Sequence, residues 1–407
     1  MEMLAEPRQQ RPAQVGRDQA AQIRLETSEA ARMHLVDTTM FFASEGGGVG
    51  RYLAAKHDWL LEHSSVRHTI LAPGARDAIR QPGLVMVASP VLPGLQGYRF
   101  PLRLARWTEC LVALNPDVIE AGDPYGPAWA ALRAGQRLGV PVVGFYHSDL
   151  VRLIGSRAGR WSERAVGRYV RSLYRHFDLV IAPSRYVFDK LADLGLARLE
   201  CRPLGVDVKL FHPSRADHAL RRELGLADDT RLAIFAGRFA REKNLRVLLE
   251  AFKRLGSRYH LLLVGSGMDL PAQGNATVLP YQRSPEALAR LLASSDMLVH
   301  GGDQETFGLI VLEAMACGRP VVAANSGGLA ELVTPDTGVL AAPRDASALA
   351  AAVSGMYELD IEAMGQRARH HVEAAFSWDS VMRSLMACYS KLTAAEPVAK
   401  LESYAVR

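Results

Sequence analysis

The chain has 407 residues, of which 49% are hydrophobic and 22% charged, and a net charge of +5 with the histidines neutral. That length exceeds one ordinary core and suits two domains, and the apolar fraction excludes a largely disordered chain. The mild positive charge permits anionic partners such as phosphates or lipid head groups without requiring them, and no nucleic-acid partner is expected.

The four cysteines, Cys110, Cys201, Cys317 and Cys388, are scattered without paired spacing. Neither a zinc site nor a disulfide framework follows, and a reducing compartment, the cytoplasm, is the expected home. Residues 1–30 are polar, carry early acids and lack the apolar centre of a signal peptide, so they read as a flexible tail. No later run approaches the roughly 20 apolar residues that span a bilayer, so any membrane contact is expected to be peripheral, from the inner face.

From Met33 onward, short apolar runs alternate with amphipathic stretches: MHLVDT, HTILAP, LVMVAS, DVIEAG, PVVGFYH and LVIAPS. Continuous β-branched runs separated by helical patterns predict parallel strands covered on both faces. A second series follows, LAIFAGR, YHLLLVGSG, ATVLP, DMLVHGG, PVVAANSGG and GVLAAP. The chain therefore reads as two doubly wound, Rossmann-like α/β domains in tandem, residues 31–210 and 211–385, with residues 386–407 as a helix end and tail. The boundary falls near PLGVDVKLFHPSRADH, where two prolines and a glycine interrupt the pattern. The helical patterns after about Asp345 have no strand following them and are expected to pack outside.

Between the first strand and its helix lies SEGGGVGRYLAA, Ser44 to Ala55. Successive glycines let backbone N–H groups approach an oxyanion, and the helix start adds partial positive charge. Gly46, Gly48 and Gly50 do not fit the G-x-G-x-x-G dinucleotide spacing, and no G-K-[ST] follows, so a nicotinamide dehydrogenase is a poor reading. Within the amphipathic stretch Arg157 to Phe177, Arg164, Arg168, Arg171 and Arg175 share one helical face, while Trp161, Ala165, Tyr169, Leu173 and Phe177 mark another. Basic and aromatic residues together suit an anionic membrane surface. Packing of the apolar face on the domain's own sheet is the plain alternative.

In the second domain, a strand ends at Gly237, and Arg238 and Lys243 stand near the start of a helix beginning about Asn244. Two cations beside free backbone donors would surround a diphosphate; a solvated basic turn is the bland alternative. A further strand breaks at Gly265-Ser266-Gly267, where backbone can approach a flat base or ribose. The most informative stretch is GGDQETFGLIVLEAMACG, Gly301 to Gly318. A helix beginning near Thr306 to Gly308 favours an anion at its start, and Gly308 keeps side-chain bulk away. Glu305 before the start and Glu313 inside the helix can accept hydrogen bonds from hydroxyls on either side of that anion. The order suits sugar, diphosphate and ribose.

The combination of EGGGVGRY, YHSD, GVD, GRFAREKN, VGSG and ETFGLIVLEAMACGRPVVA resembles the retaining, nucleotide-sugar-dependent glycosyltransferases of family four, which have the GT-B fold of two facing Rossmann-like domains. Through YHSDL and GVDVKLFHP it is most similar to the α-mannosyltransferases and related enzymes that act on lipids and lipid-linked acceptors. The resemblance implies that Arg238 and Lys243 hold the diphosphate, that Glu305 with the backbone of Phe307, Gly308 and Leu309 holds the donor sugar, and that Glu313 holds the ribose. It sets Gly47 and Gly48 against phosphate and acceptor, His147 beside the transferred sugar, and the backbone near Gly237, Gly265, Gly267 and Tyr281 against the nucleotide. A departure is PLGVD, where many relatives have an asparagine before Gly205.

No two aspartates occur at i and i+2, so an Asp-x-Asp metal grip is missing and metal-independent turnover is expected, with no cofactor beyond the nucleotide sugar. Charge stabilisation and positioning of the leaving diphosphate would carry catalysis. The donor can be of GDP-mannose or UDP-glucose type, and the acceptor a lipid, lipid-linked or glycan molecule. Two other classes remain open: a GT-B nucleotide-sugar epimerase, which needs no acceptor, and a non-catalytic sugar-nucleotide-binding protein.

Overall fold

The computed structural model describes residues 33–42, 48–81, 83–91, 99–271 and 273–394. In chain order the first domain runs β1 (His34–Thr38), α1 (Gly48–His63), β2 (Arg67–Gly74), β3 (Ala78–Gln81), β4 (Leu84–Ala88), α2 (Leu104–Leu114), β5 (Val118–Ala121), α3 (Gly126–Leu138), β6 (Val142–Phe145), α4 (Leu150–Tyr174), β7 (Leu179–Ala182), α5 (Arg185–Asp193) and β8 (Leu199–Cys201). The second runs α6 (Leu220–Glu223), β9 (Arg231–Ala236), α7 (Leu245–Leu255), β10 (Tyr259–Val264), β11 (Ala276–Leu279), α8 (Pro285–Ser294), β12 (Met297–His300), α9 (Leu309–Ala316), β13 (Val321–Ala324), α10 (Leu329–Leu332), β14 (Gly338–Ala341), α11 (Ala346–Met356) and α12 (Ile361–Ala375). A last helix, α13 (Trp378–Ala394), follows.

The first sheet has the order β3-β4-β2-β1-β5-β6-β7-β8 and the second β11-β10-β9-β12-β13-β14. Pairing is parallel throughout, except that β3 runs antiparallel to β4 at the edge of the first sheet. Central strands such as β1, β6, β10 and β13 are buried along their whole length, which is why they read as unbroken apolar runs rather than alternating ones. Strand order reverses between β1 and β5 and again between β9 and β12. Ligands of open parallel sheets sit beyond the carboxyl ends of strands at such switch points.

The chain crosses between domains twice, and the two crossings pair. Val206 N donates to Phe376 O at 2.8 Å, and Trp378 N donates to Val206 O at 3.3 Å. Gly205 allows this approach, since a Cβ there would lie 2.5 Å from the Trp378 ring. After the return crossing, α13 runs as one continuous helix through residue 385, and it packs on α1 of the first domain, where Trp59 Nε1 donates to Asp379 at 3.1 Å. The amphipathic segment predicted over Arg157 to Phe177 forms the later part of the longer α4 as far as Tyr174, with Arg175 as its cap and Phe177 beyond it. Its apolar face is used internally from the middle onward: Leu173 and Phe177 are buried, and the Tyr169 hydroxyl donates to Pro124 O at 2.6 Å. Trp161 stays 79% exposed, and Arg164, Arg168, Arg171 and Arg175 face solvent. Among the described residues, no helix is long and apolar enough to cross a membrane.

Candidate active site between the two sheets

Helix α9 is apolar on all sides, and its residues Val311 to Ala316 are buried. A helix without a polar face must sit in the core, so its amino end is fixed rigidly at the carboxyl edge of the second sheet. Gly308 precedes it at φ 108°, and a Cβ there would lie 2.9 Å from Leu329. The chain before it is held by the NSGG turn: Gly328 N donates to Glu305 O at 2.9 Å, and Gly327 adopts φ 59° with no room for a Cβ against the same carbonyl. That turn, Asn325 to Gly328, reads in sequence only as the end of a strand.

Glu305 forms an ion pair with Lys243, and His300 Nε2 lies 3.5 Å from the same carboxylate oxygen. Burial alone would raise the Glu305 pKa, but Lys243, with His300 and Arg238 behind it, brings it down to about 2. Burial lowers His300 to about 4, so it is neutral at physiological pH. Lys243 closes a short 3-10 turn whose end, Asn244, adopts the left-handed conformation that opens α7. Arg238 differs: its side chain is 71% exposed and only loosely engaged with Glu242 at 3.6 Å. It is the exposed cation of the two, and Lys243 the largely enclosed one.

Gly237, Gly265 and Gly267, all at positive φ, form a close-packed glycine corner at the ends of β9 and β10. A Cβ on Gly265 would fall 1.9 Å from Gly237 O, and one on Gly267 2.4 Å from Phe239 O. Tyr281 beyond β11 is 38% exposed. Phe307 is buried and packs toward Phe376, at 6.2 Å between ring centroids.

Across the cleft, Gly48 opens α1 and faces Leu309, with 3.5 Å from its Cβ position to Leu309 Cδ1. Gly47 lies outside the described residues. One turn into α1, Arg51 reaches over and pairs with Glu313. Glu313 is buried, which raises its pKa against the lowering effect of Arg51, and its Oε2 has no hydrogen-bond partner among the described residues. Glu313 is thus an interior carboxylate, not a surface one. Arg51 sits inside the glycine motif but is not singled out by sequence reasoning.

His147 follows β6 at the carboxyl edge of the first sheet. Its ring stacks flat on Phe145, with centroids 4.0 Å apart and planes 1° from parallel, and meets Tyr52 at 5.0 Å. Burial, reinforced by nearby Lys56, lowers its pKa to about 3, and Nε2 has no partner among the described residues. Thr306 Oγ1 donates to His147 O at 2.8 Å, while Ser184 Oγ donates to Thr306 O at 2.6 Å. Two hydroxyl bridges thus tie the α9 approach to the first domain. The structure brings His147, Lys243, Glu305, Gly308 and Glu313 to one cleft between the sheets, with Arg238 at its exposed margin. A separate cavity of about 540 Å³ opens beside Arg221, Arg231, Arg319 and Arg369. It borders the amino ends of the second sheet's strands, the side away from these groups.

The comparisons with known proteins agree with this geometry. Residues 46–210 match Glycosyltransferase Family 4, and residues 217–371 match Glycosyl transferases group 1. A GDP-mannose-dependent alpha-mannosyltransferase of Mycobacterium tuberculosis is 34% identical over 58% of this chain and 62% of its own length. Its Mycolicibacterium smegmatis counterpart is 33% identical over 62% and 68%. A GDP-mannose-dependent alpha-(1-6)-phosphatidylinositol dimannoside mannosyltransferase of Mycobacterium tuberculosis is 28% identical over 87% and 95%. The chain thus spans less than two thirds of the first of these relatives, and most of the third. Among solved structures, sucrose-phosphate synthase from Thermosynechococcus elongatus superposes with a TM-score of 0.75 at 22% identity, covering 90% of this chain and 100% of that one. Anabaena HepE in complex with UDP-glucose gives 0.70 at 19%, covering 88% and 100%; at such identities the likeness speaks for the fold. With two facing parallel-sheet domains, both family matches and these relatives together, the chain belongs to the family 4 glycosyltransferases of GT-B fold.

Proposed function

We propose that the protein transfers a mannosyl residue from GDP-mannose, with retention of anomeric configuration, to a lipid or lipid-linked acceptor at the cytoplasmic face of a membrane. The observation that carries this reading is the Lys243–Glu305 pair set directly before the amino end of α9, which Gly308 opens without a side chain. A leaving diphosphate fits there, because the unpaired N–H groups of the first turn and the cation beside them favour negative oxygen. GDP-mannose is the named donor of the mannosyltransferase relatives, and a phosphatidylinositol mannoside appears in the name of one of them.

In this reading Lys243 and Arg238 neutralise charge that grows on the diphosphate as the glycosidic bond breaks, so the protein's contribution is electrostatic and positional. No metal ion is required for that neutralisation. Glu305, kept ionised by Lys243, accepts hydrogen bonds from sugar hydroxyls, and the unpartnered Oε2 of Glu313 accepts from the ribose. His147 is neutral and offers Nε2 to the transferred sugar as a hydrogen-bonding group rather than as an acid. The exposed Trp161 and the arginines of α4 supply the lipid-facing surface, on a smaller area than the whole segment.

The test is a thermal-shift panel of GDP, UDP, GDP-mannose and UDP-glucose, followed by turnover with a phosphatidylinositol mannoside acceptor. A ligand that binds the native state raises the melting temperature. Stabilisation by the guanine nucleotides and mannose transfer are expected. A shift with the uridine nucleotides alone would move the donor to UDP-glucose, and isomerised donor formed without acceptor would support an epimerase.

A further inference from the structure

Beneath the first sheet's carboxyl edge lies a charged cluster that the transfer reaction as described does not use. Lys56, on α1, is fully buried. Its Nζ donates to Asp37 at 2.9 Å and to the Tyr389 hydroxyl at 3.2 Å, and lies 3.1 Å from Glu120. Glu120 in turn accepts from the Tyr52 hydroxyl at 3.0 Å and from the Tyr389 hydroxyl. Asp37 is also held by His68 of β2, with Nε2 2.6 Å from Oδ2, so four first-domain elements, β1, α1, β2 and β5, meet here with one residue of α13, the helix that enters only after the second domain is complete.

Stability alone does not account for such a cluster, since well-packed apolar side chains of similar volume are often as stabilising as a buried ion pair. Its placement does. Tyr52 is bonded to Glu120 at its hydroxyl and lies with its ring 5.0 Å from that of His147. Tyr52 lies equally close to Phe145, at 5.0 Å, so the three rings meet one another and His147 rests against both, and its Nε2 has no hydrogen-bond partner among the described residues. Tyr52 also approaches Trp378, at 6.3 Å, and Trp378 fills the space left by Gly205 at the domain crossing. One ring thus touches the crossing and the active-site imidazole, and its hydroxyl is held by the cluster.

We propose that Tyr389 is a positioning residue for the transfer reaction: by bonding to the buried Lys56–Glu120 pair it holds Tyr52 against His147 and so fixes the imidazole in the cleft. The inference rests on the reading of His147 as the group beside the transferred sugar. Tyr389 touches neither donor nor acceptor. Its hydroxyl sets the hydroxyl end of Tyr52 by sharing the same carboxylate.

The experiment uses the full chain with Tyr389→Phe and Tyr52→Phe, each removing one oxygen and leaving the ring. In Tyr389→Phe, which loses the hydrogen bonds to Glu120 and Lys56, kcat is expected to fall roughly ten- to hundred-fold, the range for a lost hydrogen bond to a buried charged group. GDP affinity should change less than about twofold, because the diphosphate groups lie on the other domain. In a His147→Ala background the same substitution should lower kcat further by less than about twofold, whereas a merely structural loss would lower it equally in both backgrounds. Equal losses overturn the proposal. A readout independent of turnover is the His147 ring resonance in histidine-labelled protein. It should move in both tyrosine variants, and an unmoved resonance overturns the positioning role even if no donor is turned over. If no donor supports turnover and the resonance does move, the function assigned above fails and the positioning role stands.

Discussion

Replacing Lys243 with alanine removes the cation that keeps a buried carboxylate ionised. Glu305 has its pKa lowered from an ordinary 4.5 to about 2 by Lys243 against the opposing effect of burial. At about 1.4 kcal/mol per pH unit, that depression is worth roughly 3 kcal/mol of folding stability near neutral pH. The sign follows from linkage: a depressed carboxylate stabilises the fold above its unfolded pKa of about 4.5, and the contribution is lost as pH falls toward about 2. Without Lys243, burial dominates and Glu305 titrates above its ordinary range, so the variant regains stability on acidification while the parent loses it. The gap between the two should exceed roughly 3 kcal/mol at pH 7, because the variant's raised carboxyl adds to the lost depression, seen as a drop of several degrees in Tm, and should narrow by pH 4.5 as that carboxyl takes up its proton. GDP affinity should fall by roughly 10- to 100-fold at pH 7, the range for one charge-assisted contact to phosphate. Thermal melts at the two pH values and titration with GDP measure both. A Tm gap independent of pH, or unaltered GDP binding, would refute the assignment of Lys243.

The remaining expectations are simpler. Gly308→Ala places a Cβ in a left-handed conformation 2.9 Å from Leu329, so it should cost about 1–3 kcal/mol in stability and weaken donor binding together, which melts and GDP titration check. Under the proposed function turnover should survive EDTA, because Arg238 and Lys243 would take the neutralising role; activity lost to EDTA and restored by magnesium would contradict that. Replacing Arg164, Arg168 and Arg171 with glutamate should abolish sedimentation with anionic liposomes, given that all three face solvent. Unchanged sedimentation would leave α4 as a packing helix only.

The two candidate carboxylates show where sequence reasoning reached and where it stopped. Glu305 and Glu313 flank one helix start, and that start is written locally, in Gly308 and the apolar run after it. Their partners are not. Arg51 stands 262 residues from Glu313, and the pairing exists only because two domains face each other. The apolar face of α4 shows the converse: its periodicity is evident, but Leu173 and Phe177 belong to the core, and periodicity does not state what covers a face.

From the chain alone came features that depend on a few neighbouring residues: the parallel strands, their glycine ends, the helix that opens after Gly308, and the cations near Gly237. Backbone sterics and burial periodicity act over that range, so the pattern survives in one dimension. The tertiary structure alone decided that Lys243 keeps Glu305 ionised, that His147 is neutral against two aromatic rings, and that Tyr389 returns from the end of the chain to a cluster around Lys56. Charge state and orientation depend on which distant groups remove water and supply partners, and only the folded chain brings those groups together.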